Sequence, residues 1–158
     1  MSGSKIGIAG TGSYLPERVL SNLDLEKVLN TSDEWIFQRT GVRERRIADP
    51  DVNTSDLARE ASLLAMGMAG ISAKELELII LATITPDTCC PSGANWLEAK
   101  LGATKAVSFD VTAACCGFIF GLSVAQQYLK TGVFKNGLVV ASEVMSRCQD
   151  WTDRENCT

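Results

Sequence analysis

The 158-residue sequence contains no histidine. A chain without imidazole cannot by itself assemble a Ser-His-Asp triad, a Cys-His pair or a His-ligated metal site. Any nucleophile in it must find its general base elsewhere. Aromatic residues are few, at 6%. No apolar run approaches the roughly 18 residues that a membrane-spanning helix needs. The longest, Leu76 to Ile84, is interrupted by Glu77 and reads as a buried strand. A basic excess is missing too: 15 Lys and Arg against 19 Asp and Glu leave a net charge of −4, the wrong sign for a polynucleotide partner. Met1 to Lys5 carry neither the apolar core of a secretory signal nor an Arg-rich transit pattern. The expectation is a cytoplasmic protein with no nucleic-acid and no membrane partner.

Six cysteines stand at positions 89, 90, 115, 116, 148 and 157. None falls in a Cys-x-x-Cys pair, and with histidine absent no metal site is expected. Two pairs are vicinal, with Cα atoms about 3.8 Å apart across a trans peptide. Ordinary disulfides span roughly 4.4–6.8 Å, so neither pair is expected to close on itself. Free thiols follow, most of them expected as small buried hydrophobes.

The pattern along the chain alternates strand and helix. Ile6–Ala9 reads as a short strand entering Gly10-Thr11-Gly12-Ser13, where Leu15 and Pro16 break any dinucleotide-binding loop. An amphipathic helix is expected after Asn22, with Leu25, Val28 and Leu29 on one side. Thr31-Ser32-Asp33-Glu34 forms a capping box with Thr31 as N-cap, and the helix it starts ends near Gly41. Arg43-Glu44-Arg45-Arg46 reads as a solvated edge. Thr54-Ser55-Asp56 starts a long helix with Leu57, Ala61, Leu64 and Met68 at helical spacing, stopped by Gly70. Three strands follow, at Leu78–Thr83, Val107–Val111 and Gly137–Ser142, separated by helices over Ser92–Lys100 and beyond Cys116. The helix beyond Cys116 carries Phe118, Leu122, Ala125 and Leu129. Strands without polar alternation, joined through helices, imply an α/β domain with a largely parallel sheet covered on both faces. Residues 1–158 read as a single domain whose last strand has no helix after it to cover it.

Cys115 lies where the strand Val107–Val111 turns into a helix, flanked by Ala114 and, beyond Cys116, by Gly117. A thiol at such a corner is presented beside the amides of the helix start. There the helix dipole stabilises a thiolate, and the N–H groups can hold an oxyanion formed on a thioester. The alternative is a small residue packed at a crowded junction. Cys116, turned about 100° around the helix, is expected against packed side chains. Thr31, Trp35 and Arg39 share a spacing of four and therefore one helical face. Indole and guanidinium there can form a flat slot for a purine with charge for a phosphate; the alternative is a helix whose Trp35 is simply core.

Five spaced segments together resemble one family. They are Gly10-Thr11-Gly12-Ser13-Tyr14-Leu15-Pro16, Thr31-Ser32-Asp33-Glu34-Trp35-Ile36, Arg39-Thr40-Gly41-Val42-Arg43-Glu44-Arg45, Phe109-Asp110-Val111-Thr112-Ala113-Ala114-Cys115 and Asp150-Trp151-Thr152-Asp153-Arg154. The family is β-ketoacyl-acyl-carrier-protein synthase III, whose polypeptide is about twice as long. The chain resembles its N-terminal half. The resemblance implies a thiolase-like fold, with this chain as one α-β-α half of a five-layer α-β-α-β-α architecture. It also implies the reaction that starts type II fatty acid synthesis: decarboxylative condensation of a short acyl-CoA with malonyl-acyl-carrier protein. Cys115 aligns with the acyl-accepting nucleophile, Trp35 and Arg154 with the pair that sandwiches the CoA adenine, and Thr31 and Arg39 with further nucleotide contacts. The catalytic His and Asn belong to the C-terminal half. Acyl-CoA and acyl-carrier protein are the implied partners, in a homodimer. No separate cofactor is implied, because the coenzyme A thioester is itself a substrate. Cys116 stands where the family has Ala or Ser. Cys90 stands where acetyl-preferring members place a large aromatic that floors the partner's acyl pocket, which argues against strict acetyl preference. The rival readings are a related polyketide or quinolone starter synthase using the same cysteine, and a non-catalytic truncated half.

Overall fold

The computed structural model describes residues 6–156. Met1–Lys5, read above for targeting signals, and Cys157 lie outside the described residues. The chain divides into two compact units, Leu15–Val52 with Val144–Thr158, and Met1–Tyr14 with Asn53–Glu143.

In the smaller unit β1 (Val19–Ser21) runs directly into α1 (Asn22–Leu25), α2 (Asp33–Thr40) follows, and β2 (Glu44–Arg46) returns antiparallel to β1. The basic run is therefore one strand of a short ribbon, with Val19 opposite Arg46. Leu25 and Ile36 form the core of this unit, and Leu20, Leu29, Trp35 and Trp151 pack against them. The helix expected after Asn22 is only one turn long. Leu25 is buried while Val28 is 71% exposed, so burial stabilises the first turn alone. The N-cap of α2 is Ser32 rather than Thr31. Ser32 is extended, and its hydroxyl accepts the Trp35 N–H at 3.1 Å, filling one of the unpaired donors of the first turn. Gly41 ends the helix in the left-handed conformation, φ 72°, where a Cβ would be strained.

The larger unit contains α3 (Thr54–Ala69), β3 (Leu78–Ala82), α4 (Gly93–Leu101), β4 (Val107–Val111), α5 (Gly117–Lys130) and β5 (Leu138–Ala141). The three strands form one parallel sheet in the order β4-β3-β5, with Ile80 level with Phe109 and Val139. Every residue of the central strand β3 is buried, as a continuous apolar run requires. Its side chains alternate between two clusters. Ile79 and Leu81 pack with Ala58 and Met66 of α3, Ala94 and Leu97 of α4, and Leu138 and Val140 of β5. Leu78 and Ile80 face Val124 and Ala125 of α5, with Phe109 and Val139. The last strand, expected bare, thus has α3 on one face and α5 on the other.

Three further expectations change. Ile6–Ala9 has no strand paired to it among the described residues. The segment after it instead touches α3, where a Cβ on Gly12 would stand 2.2 Å from the Ala61 carbonyl oxygen. The buried stripe of α3 is Thr54, Ser55, Ala58, Ser62 and Met66, while Leu64 and Met68 are exposed; the sheet selects the small-residue face, which lets helix and strands approach. For the same reason α5 buries Gly117, Gly121 and Ala125 and leaves Phe118 exposed. No helix among the described residues is long and apolar enough to cross a membrane.

Candidate active site

In the larger unit the carboxyl ends of the strands are tied by two carboxylates. Glu143, just past β5, accepts hydrogen bonds from the Thr83 hydroxyl at 3.0 Å, the Ile84 N–H at 2.9 Å, the Thr85 N–H at 3.1 Å and the Thr85 hydroxyl. Asp110 on β4 accepts the first amides of α4, Gly93 at 2.9 Å and Ala94 at 2.7 Å. The carboxyl edge of a parallel sheet is where α/β folds place ligands, and here these hydrogen bonds tie it together. Cys115 stands at this edge, between β4 and α5.

The turn carrying it is a tight 3-10 segment, Ala114–Cys116, leading straight into α5. Ala114 has φ 44°, a left-handed conformation that costs a non-glycine residue of order 1–2 kcal/mol. A strained strand-to-helix corner of this kind presents the side chain that follows it outward. The Cys115 side chain is exposed, consistent with a presented thiol rather than a packed one. Two details differ from expectation. The Cys116 N–H donates to the Ala113 carbonyl at 3.1 Å and the Gly117 N–H to that of Ala114, so the tight turn consumes two amides expected to be free. Cys116 is exposed as well, and so are Cys89, Cys90 and Cys148. Most of the cysteines were expected as buried hydrophobes, but each described one falls in a loop or turn rather than on a sheet-facing stripe. Cys90 lies in the exposed loop before α4, in which the Thr88 hydroxyl donates to the Pro91 carbonyl at 2.6 Å and receives the Trp96 indole N–H at 2.9 Å.

The smaller unit brings together three of the residues singled out in it. The Arg154 guanidinium carbon lies 3.7 Å from the centroid of the Trp35 ring, and that of Arg39 lies 4.5 Å away. Both are inside the roughly 6 Å range of cation–π attraction. Trp35 and Arg39 meet because they are one helical turn apart on α2; Arg154 arrives from the far end of the chain. Thr31, just before the α2 cap, has a shielded hydroxyl with no hydrogen-bond partner among the described residues. A polar atom in that condition is uncommon in a folded protein and calls for a partner. Asp150 was not singled out. Its carboxylate accepts the Thr152 N–H at 2.9 Å and the Thr152 hydroxyl at 2.6 Å. The Thr152 bonds, hydroxyl first, hold it below the usual carboxylate range. The available signal was the repeated Asp-x-(Thr/Glu) spacing, which favours Asx turns.

A model of the 3-oxoacyl-[acyl-carrier-protein] synthase III family matches residues 109–158. The chain is 53% identical over 151 residues to the beta-ketoacyl-[acyl-carrier-protein] synthase III of Caldanaerobacter subterraneus, covering 96% of this chain and 46% of that protein. Among solved structures, that of 3-oxoacyl-[acyl-carrier-protein] synthase III from Aquifex aeolicus superposes with a TM-score of 0.91 at 48% identity, covering 95% of this chain and 48% of the other. The priming beta-ketosynthase of the R1128 polyketide pathway superposes with a TM-score of 0.89 at 37% identity, over 93% of this chain and 44% of the other. The fold is therefore that of the thiolase-like synthases. Within that class the sequence is similar to the N-terminal half of β-ketoacyl-acyl-carrier-protein synthase III proteins. The chain spans about half the length of the relatives it matches.

Proposed function

We propose that residues 1–158 form the nucleophile-bearing half-domain of a β-ketoacyl-acyl-carrier-protein synthase III, and that Cys115 is the acyl carrier. The observation that carries this reading is the exposed Cys115 thiol at a strained strand-to-helix corner on the carboxyl edge of a parallel sheet. In the first step the Cys115 thiolate attacks the thioester carbonyl of a short acyl-CoA. The tetrahedral oxyanion collapses, the C–S bond to coenzyme A breaks, and CoA leaves as the thiol after taking a proton. In the second step malonyl-acyl-carrier protein loses CO2. The resulting carbanion attacks the acyl-Cys115 carbonyl, forming the new C–C bond and returning the cysteine sulfur. His and Asn for that step come from the C-terminal half, since this chain has no histidine. Trp35 and Arg154 hold the CoA adenine, with Arg39 and Thr31 as further contacts to the nucleotide end.

The same reading makes the coenzyme A thioester a substrate, with no separate cofactor. It places the enzyme in the cytoplasm as a homodimer whose Cys90 loop reaches the partner's acyl pocket. A small side chain there admits primers larger than acetyl. The assignment is tested by a brief acyl-CoA pulse followed by peptide mass spectrometry. Cys115 carries the acyl group, Cys115→Ala abolishes labelling, and Cys116→Ala leaves it nearly intact. Label on Cys116 that persists in Cys115→Ala refutes the assignment. An acceptor and primer screen separates fatty acid initiation from polyketide priming.

A further inference from the structure

The segment that delivers Arg154 to Trp35 has no regular secondary structure, so its shape rests on its own hydrogen bonds. Ordering an arginine side chain costs about as much as an exposed cation–π contact returns. Arg154 therefore stays on the indole only if the backbone beneath it is already fixed. Asp150 makes four of the bonds that fix it. Its carboxylate takes the N–H and hydroxyl of Thr152 at 2.9 and 2.6 Å. Its carbonyl accepts the Asp153 N–H at 3.1 Å, and its own N–H donates to the Asn156 side chain at 3.0 Å. The loop is thus closed on itself between residues 150 and 156, with Arg154 on the closed arc. A separate anchor holds its base: the Trp151 indole N–H donates to the Ser146 carbonyl at 3.1 Å, and the ring packs on the Leu25–Ile36 core.

We propose that Asp150 is a positioning residue for nucleotide recognition, closing the loop that holds the Arg154 guanidinium over the Trp35 indole. The inference rests on the reading of Trp35 and Arg154 as the adenine slot. It adds a residue that need not touch the ligand and acts through Arg154.

The test is calorimetric titration of the protein with adenosine 3′,5′-bisphosphate, the nucleotide end of coenzyme A. Asp150→Ala raises the Kd roughly three- to tenfold, the scale of one lost cation–π contact. Asp150→Asn, which keeps an acceptor for Thr152, restores binding to near the wild-type value. In an Arg154→Ala background Asp150→Ala adds less than about twofold, because residues acting through one group are not additive. Thr152→Val supplies a second route if Asp150→Ala does not fold; it raises the Kd in the same direction while keeping the N–H bond. Effects of Asp150→Ala and Arg154→Ala that multiply overturn the positioning role, as does an unchanged Kd in Asp150→Ala or Thr152→Val. Trp35→Ala separates the two levels. If it leaves the Kd unchanged, the slot itself is misplaced. If it weakens binding while the Asp150 and Thr152 changes do not, the slot stands and the inference about Asp150 falls.

Discussion

Replacing Gly117 by alanine tests whether close packing of α5 on the sheet sets the position of Cys115. Gly117 has ordinary helical dihedrals, φ −54° and ψ −44°, so alanine meets no backbone strain. Its Cβ, however, would stand 3.1 Å from the Cβ of Ala82, where carbon atoms prefer about 3.5–4.0 Å. Ala82 lies in the buried central strand and has no side-chain rotamer with which to yield. The start of α5 must therefore lift by roughly half an ångström. Overpacking costs about 1–3 kcal/mol, and the gain in helix propensity of up to about 1 kcal/mol is smaller still at a first-turn position. The balance is a loss of about 1–2 kcal/mol, a fall in Tm of roughly 2–8 °C for a chain of this size. The functional effect is larger than the stability effect. Cys115 is two residues away, and a misplacement approaching 1 Å can slow a positioned reaction by up to about a hundredfold. Gly121→Ala is the control. Its Cβ would meet Val139 Cγ1 at 3.1 Å and Ile80 Cγ2 at 3.5 Å, so it crowds side chains one turn beyond Gly117. It should cost comparable stability while leaving acylation within about twofold. Thermal unfolding and the rate of Cys115 acylation in an acyl-CoA pulse measure both. Wild-type Tm and acylation rate in Gly117→Ala would refute the argument, as would equal slowing by the two alanines.

Asp110→Ala should destabilise the protein by about 1–2 kcal/mol in chemical denaturation, because the Gly93 and Ala94 amides at the start of α4 lose their acceptor. Asp110→Asn, with one acceptor oxygen, should lose less. Acid denaturation should show a contribution from Asp56. Burial raises its pKa, but the Lys100 ammonium, the Asn53 N–H and Arg59 together bring it below the ordinary value. A carboxyl depressed in the folded state adds stability that is present above the unfolded value of about 4 and is lost as pH falls through the lower folded value. Lys100→Met should therefore lower Tm modestly at pH 7, where the ion pair is formed, and change it little at low pH, flattening the fall of Tm below about pH 4.

The strands and their order along the chain were legible because a buried parallel strand needs only a short window. Leu78–Ala82 has no polar residue to place it at a surface, and the glycines at 41, 70 and 102 stop helices through a local left-handed turn. The Cys115 corner was legible for the same reason: a strand, small residues and a glycine within a few positions. Other features depend on partners distant in sequence, and local pattern misplaced them. Helix α3 has apolar residues on more than one side, and only the facing sheet selected Ala58, Ser62 and Met66 over Leu64 and Met68. Ile6–Ala9 has the composition of a strand but gains no ladder among the described residues, because a strand forms only where another chain segment offers hydrogen bonds in register. Thr31 and Ser32 can both cap a helix; Ser32 is the one that stands extended with its hydroxyl on the Trp35 N–H. The spacing of four in α2 already paired Trp35 with Arg39. The contact between Trp35 and Arg154 joins the two ends of the chain, and no local periodicity encodes it; it exists because β1, α2 and the closed Asp150 loop fold around one small core.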